Sequence, residues 1–157
     1  MTLKEKLLSD MKEAMKSKDS LKLGTVRSVI SAVKNQEIDL RKDLDEEEIL
    51  AIVSREVKKR KEAANLYEKG KRPELQDKEI QEMGILQIYL PEQVSEEDLR
   101  ERIQEVIAET GAEGMKDFGK IMKTLVPEFK GKADNALIKE LANEYLNYKI
   151  NLSFLLY

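Results

Sequence analysis

The chain contains no cysteine and no histidine. The first absence excludes disulfides and thiolate chemistry. The second removes the usual general base, the Ser-His relay and the usual zinc ligand. Glycine and proline are scarce, at 7 and 3 of 157 residues. No run approaches the roughly 18 apolar residues of a membrane span. The first residues, MTLKEKLLSDMKE, are too charged for a secretory signal, so a soluble cytoplasmic protein is expected. Phosphate-loop, dinucleotide-fingerprint and nucleophile-elbow patterns are missing as well.

What is present is charge and aliphatic surface. Charged residues make up 38% and apolar residues 41% of the chain. The apolar share suffices for a core, and the charged share is well above the common quarter. The length suits one domain, or two small ones sharing a core. The formal net charge of −3 supplies no global attraction toward nucleic acid, so any such binding must come from a local patch.

Apolar spacing is helical almost everywhere. Leu3, Leu7, Met11, Ala14 and Met15 mark a first helix, and Leu23, Val26, Val29, Ile30 and Val33 a second. DLDEEE at 43–48 stacks carboxylates where a helix start favours negative charge. A third helix over about 46–69 has Ile49, Ile52, Val53, Ala63, Ala64 and Tyr67 on its core stripe. GKRP at 70–73 breaks it. A fourth carries Leu75, Met83, Leu86, Tyr89 and Leu90, with Ile80, Gly84 and Ile88 on its other side. Ser95 to Asp98 reads as a capping box with aspartate in the reciprocal position. Three shorter helices follow: one ending near Gly111, one stopping before Pro127, and one bearing Leu137, Ile138, Leu141 and Tyr145. The expected fold is all-α. A bundle of long helices spans 1–92, a small three-helix domain spans 93–147, and an apolar tail without an assigned role spans 148–157.

Two constellations bear on function. Between residues 55 and 72 there are eight basic and three acidic residues. Arg55, Lys58, Lys61 and Lys69 fall opposite the apolar stripe, with Lys59, Lys71 and Arg72 nearby. Such a face tracks phosphates, or it is simply solvated. Glu56 and Arg60, by contrast, lie near the centre of the apolar stripe, four residues apart and able to pair. Glu37, Glu79 and Glu82 also fall on core-facing sides. A structural polar cluster is expected, with Arg60 bridging helices through Glu37, Glu79 or Glu82, because an unpaired buried charge costs several kcal/mol. No catalytic residue, metal site or cofactor is assigned. A cleft in which Glu37, Glu79 or Glu82 held a metal would change that reading.

The stretch FKGKAD at 129–134 reads first as a join between helices. Gly131 suits a left-handed turn, and Asp134 suits the cap of the last helix. Lys120, Lys123, Lys130 and Lys132 would present one basic surface around this turn, beside free N–H groups at a helix start, as an anion site does.

Residues 54–99, including YLPEQ, and 114–134, including GKIM…P…KGKAD, resemble the GatB/YqeY family, with similarity over about residues 1–146. The resemblance implies kinship with the C-terminal domain of the aspartyl/glutamyl-tRNA amidotransferase B subunit and with domains attached to some glutaminyl-tRNA synthetases. Those domains act as helical tRNA-binding appendages, while the carbon–nitrogen ligase chemistry, with glutamine as amido donor, belongs to other domains. The implied role is a non-catalytic accessory protein of tRNA amidation. Its implied partners are tRNA or another structured RNA, or a protein of that pathway. The family's basic elements fall on Lys58, Arg60, Lys61, Arg72, Lys120, Lys130 and Lys132. The alternative is a protein–protein adaptor using apolar helical surfaces or the tail. YLNYKINLSFLLY at 145–157 runs past the family's usual end as a helix extension, a partner-binding tail or an appended sequence.

Overall fold

The computed structural model describes the backbone of residues 1–155 and the side chains of residues 1–148. Helices α1 (Leu3–Lys16), α2 (Ser20–Leu40), α3 (Glu46–Lys69), α4 (Pro73–Gln87), α5 (Glu96–Thr110), α6 (Phe118–Glu128) and α7 (Asn135–Leu155) follow in order, with a short 3-10 turn at Met115–Asp117. Among the described residues there is no β-strand, so the protein is all-α. The tail at 148–157 lies outside the described side chains apart from Tyr148, which is exposed.

Local chemistry sets the helix starts. The Thr2 hydroxyl accepts from the Glu5 N–H at 3.1 Å, and the Glu5 carboxylate accepts from the Thr2 N–H at 2.9 Å. Asp45 and Glu48 repeat this reciprocal pair at α3, at 2.8 and 2.9 Å. Each cap satisfies backbone donors that the first turn leaves without partners. At α5 the bond is one-sided: the Ser95 hydroxyl accepts from Asp98 N–H at 3.1 Å, and the shorter Asp98 side chain does not return it. Pro127 lies inside the last turn of α6, which runs on to Glu128 rather than stopping before it. So near the end of a helix, the missing N–H removes only one late bond.

The chain forms two compact units, one over Met1–Pro91 and one beginning at Glu92. In the first, α2 contributes Val26, Val29, Ile30 and Val33 to a core shared with Leu7 of α1, Ile49, Ile52 and Val53 of α3, Leu86 of α4, and Tyr89 just beyond α4. In the second, Leu99, Ile103, Val106 and Ile107 of α5 pack with Ile121 and Leu125 of α6 and with Ile138, Leu141 and Leu146 of α7. Each fully buried aliphatic side chain stabilises its unit by about 1.5–3 kcal/mol.

Candidate nucleic-acid interface

The buried charge in the first unit is centred on Arg60, whose side chain is only 11% exposed. Its Nε donates to Glu82 Oε2 at 2.9 Å. Nη1 donates to the Glu56 carboxylate at 2.8 Å and to the Glu56 carbonyl at 3.0 Å. Nη2 donates to Ser28 Oγ at 3.0 Å, and that hydroxyl donates onward to the Thr25 carbonyl at 2.8 Å. The guanidinium fork therefore ties α2, α3 and α4 together, a geometry that lysine cannot reproduce. Glu37 stands apart from this cluster. It lies nine residues beyond Ser28 on α2, about 13 Å along the axis. Its carboxylate instead accepts from Lys4 Nζ at 2.9 and 3.0 Å and from the Leu44 N–H at 3.0 Å. Lys4 first, and then the Leu44 amide, hold the Glu37 carboxyl below the ordinary carboxylate value. Glu79 is half-buried one turn before Glu82, and the bonds to Arg60 come from Glu56 and Glu82. Among the described residues no cluster of acidic side chains is arranged to hold a metal ion.

The opposite face of α3 is solvent-facing and basic. Arg55, Lys58, Lys59 and Lys61 are all exposed, as are Lys69, Lys71 and Arg72 at its end. Arg55 donates to Gln36 Oε1 at 3.1 Å, and Lys59, itself 74% exposed, pairs with Glu56 at 3.4 Å. The helix closes on a left-handed residue, and it is Lys71 (φ 55°), not Gly70 (φ −80°). The Lys71 N–H reaches the Glu68 carbonyl at 3.1 Å, and the Arg72 N–H reaches the Tyr67 carbonyl at 2.8 Å. Pro73 then opens α4, with Arg72 held in a non-helical conformation before it. Lys58, Lys61 and Arg72 are thus all exposed on the first unit, while the Arg60 side chain is turned inward.

In the second unit, Lys120 and Lys123 lie on the exposed face of α6, opposite Ile121 and Leu125. The turn that follows is pinned from the segment before α5. Gln93 Nε2 donates to the Gly131 carbonyl at 2.8 Å, and the Val94 N–H donates to the Lys132 carbonyl at 3.0 Å. Gly131 takes φ 74°, where a β-carbon would be strained. Asp134 caps α7 by accepting from the Ala136 N–H at 3.1 Å. The N–H groups of Lys132 and Ala133 turn back to the Phe129 carbonyl at 2.9 and 3.1 Å. The N–H groups of Lys132, Ala133 and Ala136 are therefore engaged by the protein itself. What the turn presents outward is the exposed lysine side chains, Lys130 and Lys132. The arginines of α5 are held differently. The Tyr145 hydroxyl and then Glu96 engage Arg100, and Glu105 and then Glu128 engage Arg102, raising the pKa of each guanidinium.

Two residues gain a role that sequence reasoning missed. Gln93 is one, and it joins YLPEQ to KGKAD across 38 positions. Tyr89, in the same YLPEQ motif, is the other. Its buried hydroxyl donates to the Asp10 carboxylate, and Lys6 Nζ sits 5.4 Å from its ring centre. Burial, and then Asp10, push the Tyr89 pKa well up. The signal was their place inside a motif shared with a known family.

Against known families, residues 4–146 match the Yqey-like proteins. The chain belongs to the YqeY family. Its curated relatives include yeast proteins called "Altered inheritance of mitochondria protein 41, mitochondrial". The one from Kluyveromyces lactis is 37% identical over 134 residues, covering 79% of this chain and 72% of that protein. The one from Vanderwaltozyma polyspora is 33% identical over 152 residues, covering 90% and 80%. One from Saccharomyces cerevisiae is 31% identical over 131 residues, covering 82% and 68%. These relatives are mitochondrial by name, whereas the charged first residues and the lack of a long apolar run lead to the expectation of a cytoplasmic protein. Among the described residues no helix is long and apolar enough to cross a membrane.

Proposed function

We propose that this YqeY-family protein is an RNA-binding accessory module, with tRNA as its preferred ligand, acting beside glutamine-dependent tRNA amidation without performing that chemistry. The observation that carries the reading is the division of charge on α3. Arg60 is drawn inward by Glu56 and Glu82, and Lys58 and Lys61 project to solvent on the far side. Exposed lysines on a helical face are suited to phosphate contacts, which position a nucleic acid without reading its sequence. Lys120, Lys123, Lys130 and Lys132 form a second basic set on the other unit, and Arg72 extends the first. The cytoplasm is the compartment proposed for this chain.

The test is fluorescence anisotropy with bulk tRNA and a DNA duplex of equal length. About four phosphate contacts would weaken binding about a hundredfold between about 50 and 200 mM salt. Preferential tRNA binding with that slope supports the module. Equal weak binding to both ligands, or none at low salt, removes it.

The adaptor reading is favoured by one specific observation. Ile80 and Ile88 on one side of α4 are 50% and 59% exposed, and Ile88 borders a groove with Met1, Leu3 and Leu50. A pull-down from cell extract that returns a partner lost in an Ile80→Asp variant supports it, and retention of that partner by the variant counts against this face.

A further inference from the structure

The exposed face of α4 has an internal symmetry. Gly84 sits at its centre, and a β-carbon placed there would meet no heavy atom within 4 Å. Three residues to either side lie Gln81 and Gln87, and four residues to either side lie Ile80 and Ile88. Ile88 caps the helix but keeps right-handed helical angles (φ −62°, ψ −22°). Spacings of three and four stack these five positions on one side of the helix. All five are exposed, while Leu86 is buried on the inner side. No charge falls on this face between Ile80 and Ile88, in a chain where 38% of residues are charged. The nearest charge along it, Asp77, is a turn away and is held by Gln81 Nε2 at 2.6 Å.

A face that reads the same in both directions is complementary to itself across a two-fold axis. In such an interface, residue i meets residue j and j meets i. We propose that α4 pairs antiparallel with α4 of a second copy of this chain, about a two-fold axis through Gly84. Ile80 packs on the partner's Ile88, and Ile88 on the partner's Ile80. Gln81 meets the partner's Gln87, each amide offering both donor and acceptor. The two glycines let the backbones approach at the axis. The match of the row to itself under a two-fold axis is the observation that favours a second copy as its occupant. The inference uses the same exposed row as the adaptor reading and names its occupant, and it is independent of RNA binding.

The contact is small beside the roughly 1,200–2,000 Å² of stable complexes, so dimerisation is weak, with a dissociation constant of about 100 μM. Sedimentation of the full chain across about 5 to 500 μM reads it directly. The wild type shifts from monomer to dimer over this range. Ile80→Lys/Ile88→Lys weakens association by at least about tenfold. Its circular dichroism stays unchanged, because both side chains already face solvent.

The absence of cysteine supplies a second readout. Gly84→Cys places a thiol on the axis, within disulfide reach of its own copy. Under mild oxidation it cross-links to a dimer faster than Glu68→Cys, placed on the exposed surface of α3. A monomer at every concentration overturns the proposal, and so does Gly84→Cys linking no faster than Glu68→Cys. A dimer that survives both lysine substitutions also overturns it. A chain that stays monomeric yet captures another protein through Ile80 leaves the adaptor reading standing without this occupant.

Discussion

At the scale of single residues, position 60 shows how context decides the role of a cation. Arg60 lies within a basic stretch of sequence but is enclosed by Glu56, Glu82 and Ser28 in space. Arg60→Ala would leave the largely buried Glu82 carboxylate without its counter-ion and Glu56 with only the exposed Lys59, at a cost of about 3 kcal/mol. Lys61→Ala removes an exposed charge and should change stability by less than about 0.5 kcal/mol. Urea midpoints of the two variants separate these roles. Titration supplies a second residue-scale test. Glu37 has a folded pKa below its reference of 4.5. Its contribution is therefore complete above pH 4.5 and is lost as pH falls through the lower folded value. Tyr89 has the opposite sign. Its pKa is raised above 10.0, so its contribution is complete below pH 10.0 and is lost above it. Denaturation midpoints should fall at both ends of the pH range. Glu37→Gln should flatten the acid limb, and Tyr89→Phe the alkaline one. A wild type insensitive to acid would contradict the Lys4–Glu37–Leu44 lock.

At the scale of elements, the sequence spoke most clearly where the controlling interaction is local. The carboxylates at 43–48 announced the start of α3 because Asp45 and Glu48 are three residues apart. Asp134 could be read as the cap of α7 for the same reason. Apolar residues at spacings of three and four marked the stripe of α3, and with it the inward turn of Arg60. What escaped was long-range or conformational. Lys4 and Glu37 are 33 residues apart, and Gln93 and Gly131 are 38 apart. No periodicity records such pairs. The left-handed close of α3 fell on Lys71 although Gly70 precedes it, because two N–H groups, of Lys71 and Arg72, return to carbonyls of the last turn. Lys71→Gly should accordingly stabilise the first unit by about 0.5–1 kcal/mol, while Gly131→Ala should destabilise the second by about 1 kcal/mol. Thermal melts of both variants check the pair, and the same sign for both would contradict the backbone assignment. Gln93→Ala should speed amide exchange in the 131–133 turn without changing exchange in the core of α5.

At the scale of the whole molecule, the chain comprises two compact helical units, each with its own core and its own basic set. The apolar faces are consumed internally, apart from a few positions such as the outer row of α4. The charged residues divide into bonded networks, around Arg60, Arg100 and Arg102, and exposed lysine surfaces. That division is why a protein of net charge −3 is expected to meet a polyanion at all: local field outweighs the global one within a Debye length of about 10 Å. The central claim is that the outer face of α3 carries the RNA contact, and it comes down to two side chains. The decisive measurement compares tRNA affinity of the wild type with Lys58→Glu/Lys61→Glu at about 50 mM salt. The predicted result is at least a tenfold loss, with a shallower salt slope and an unchanged melting curve. Equal affinity in the two proteins would contradict the account.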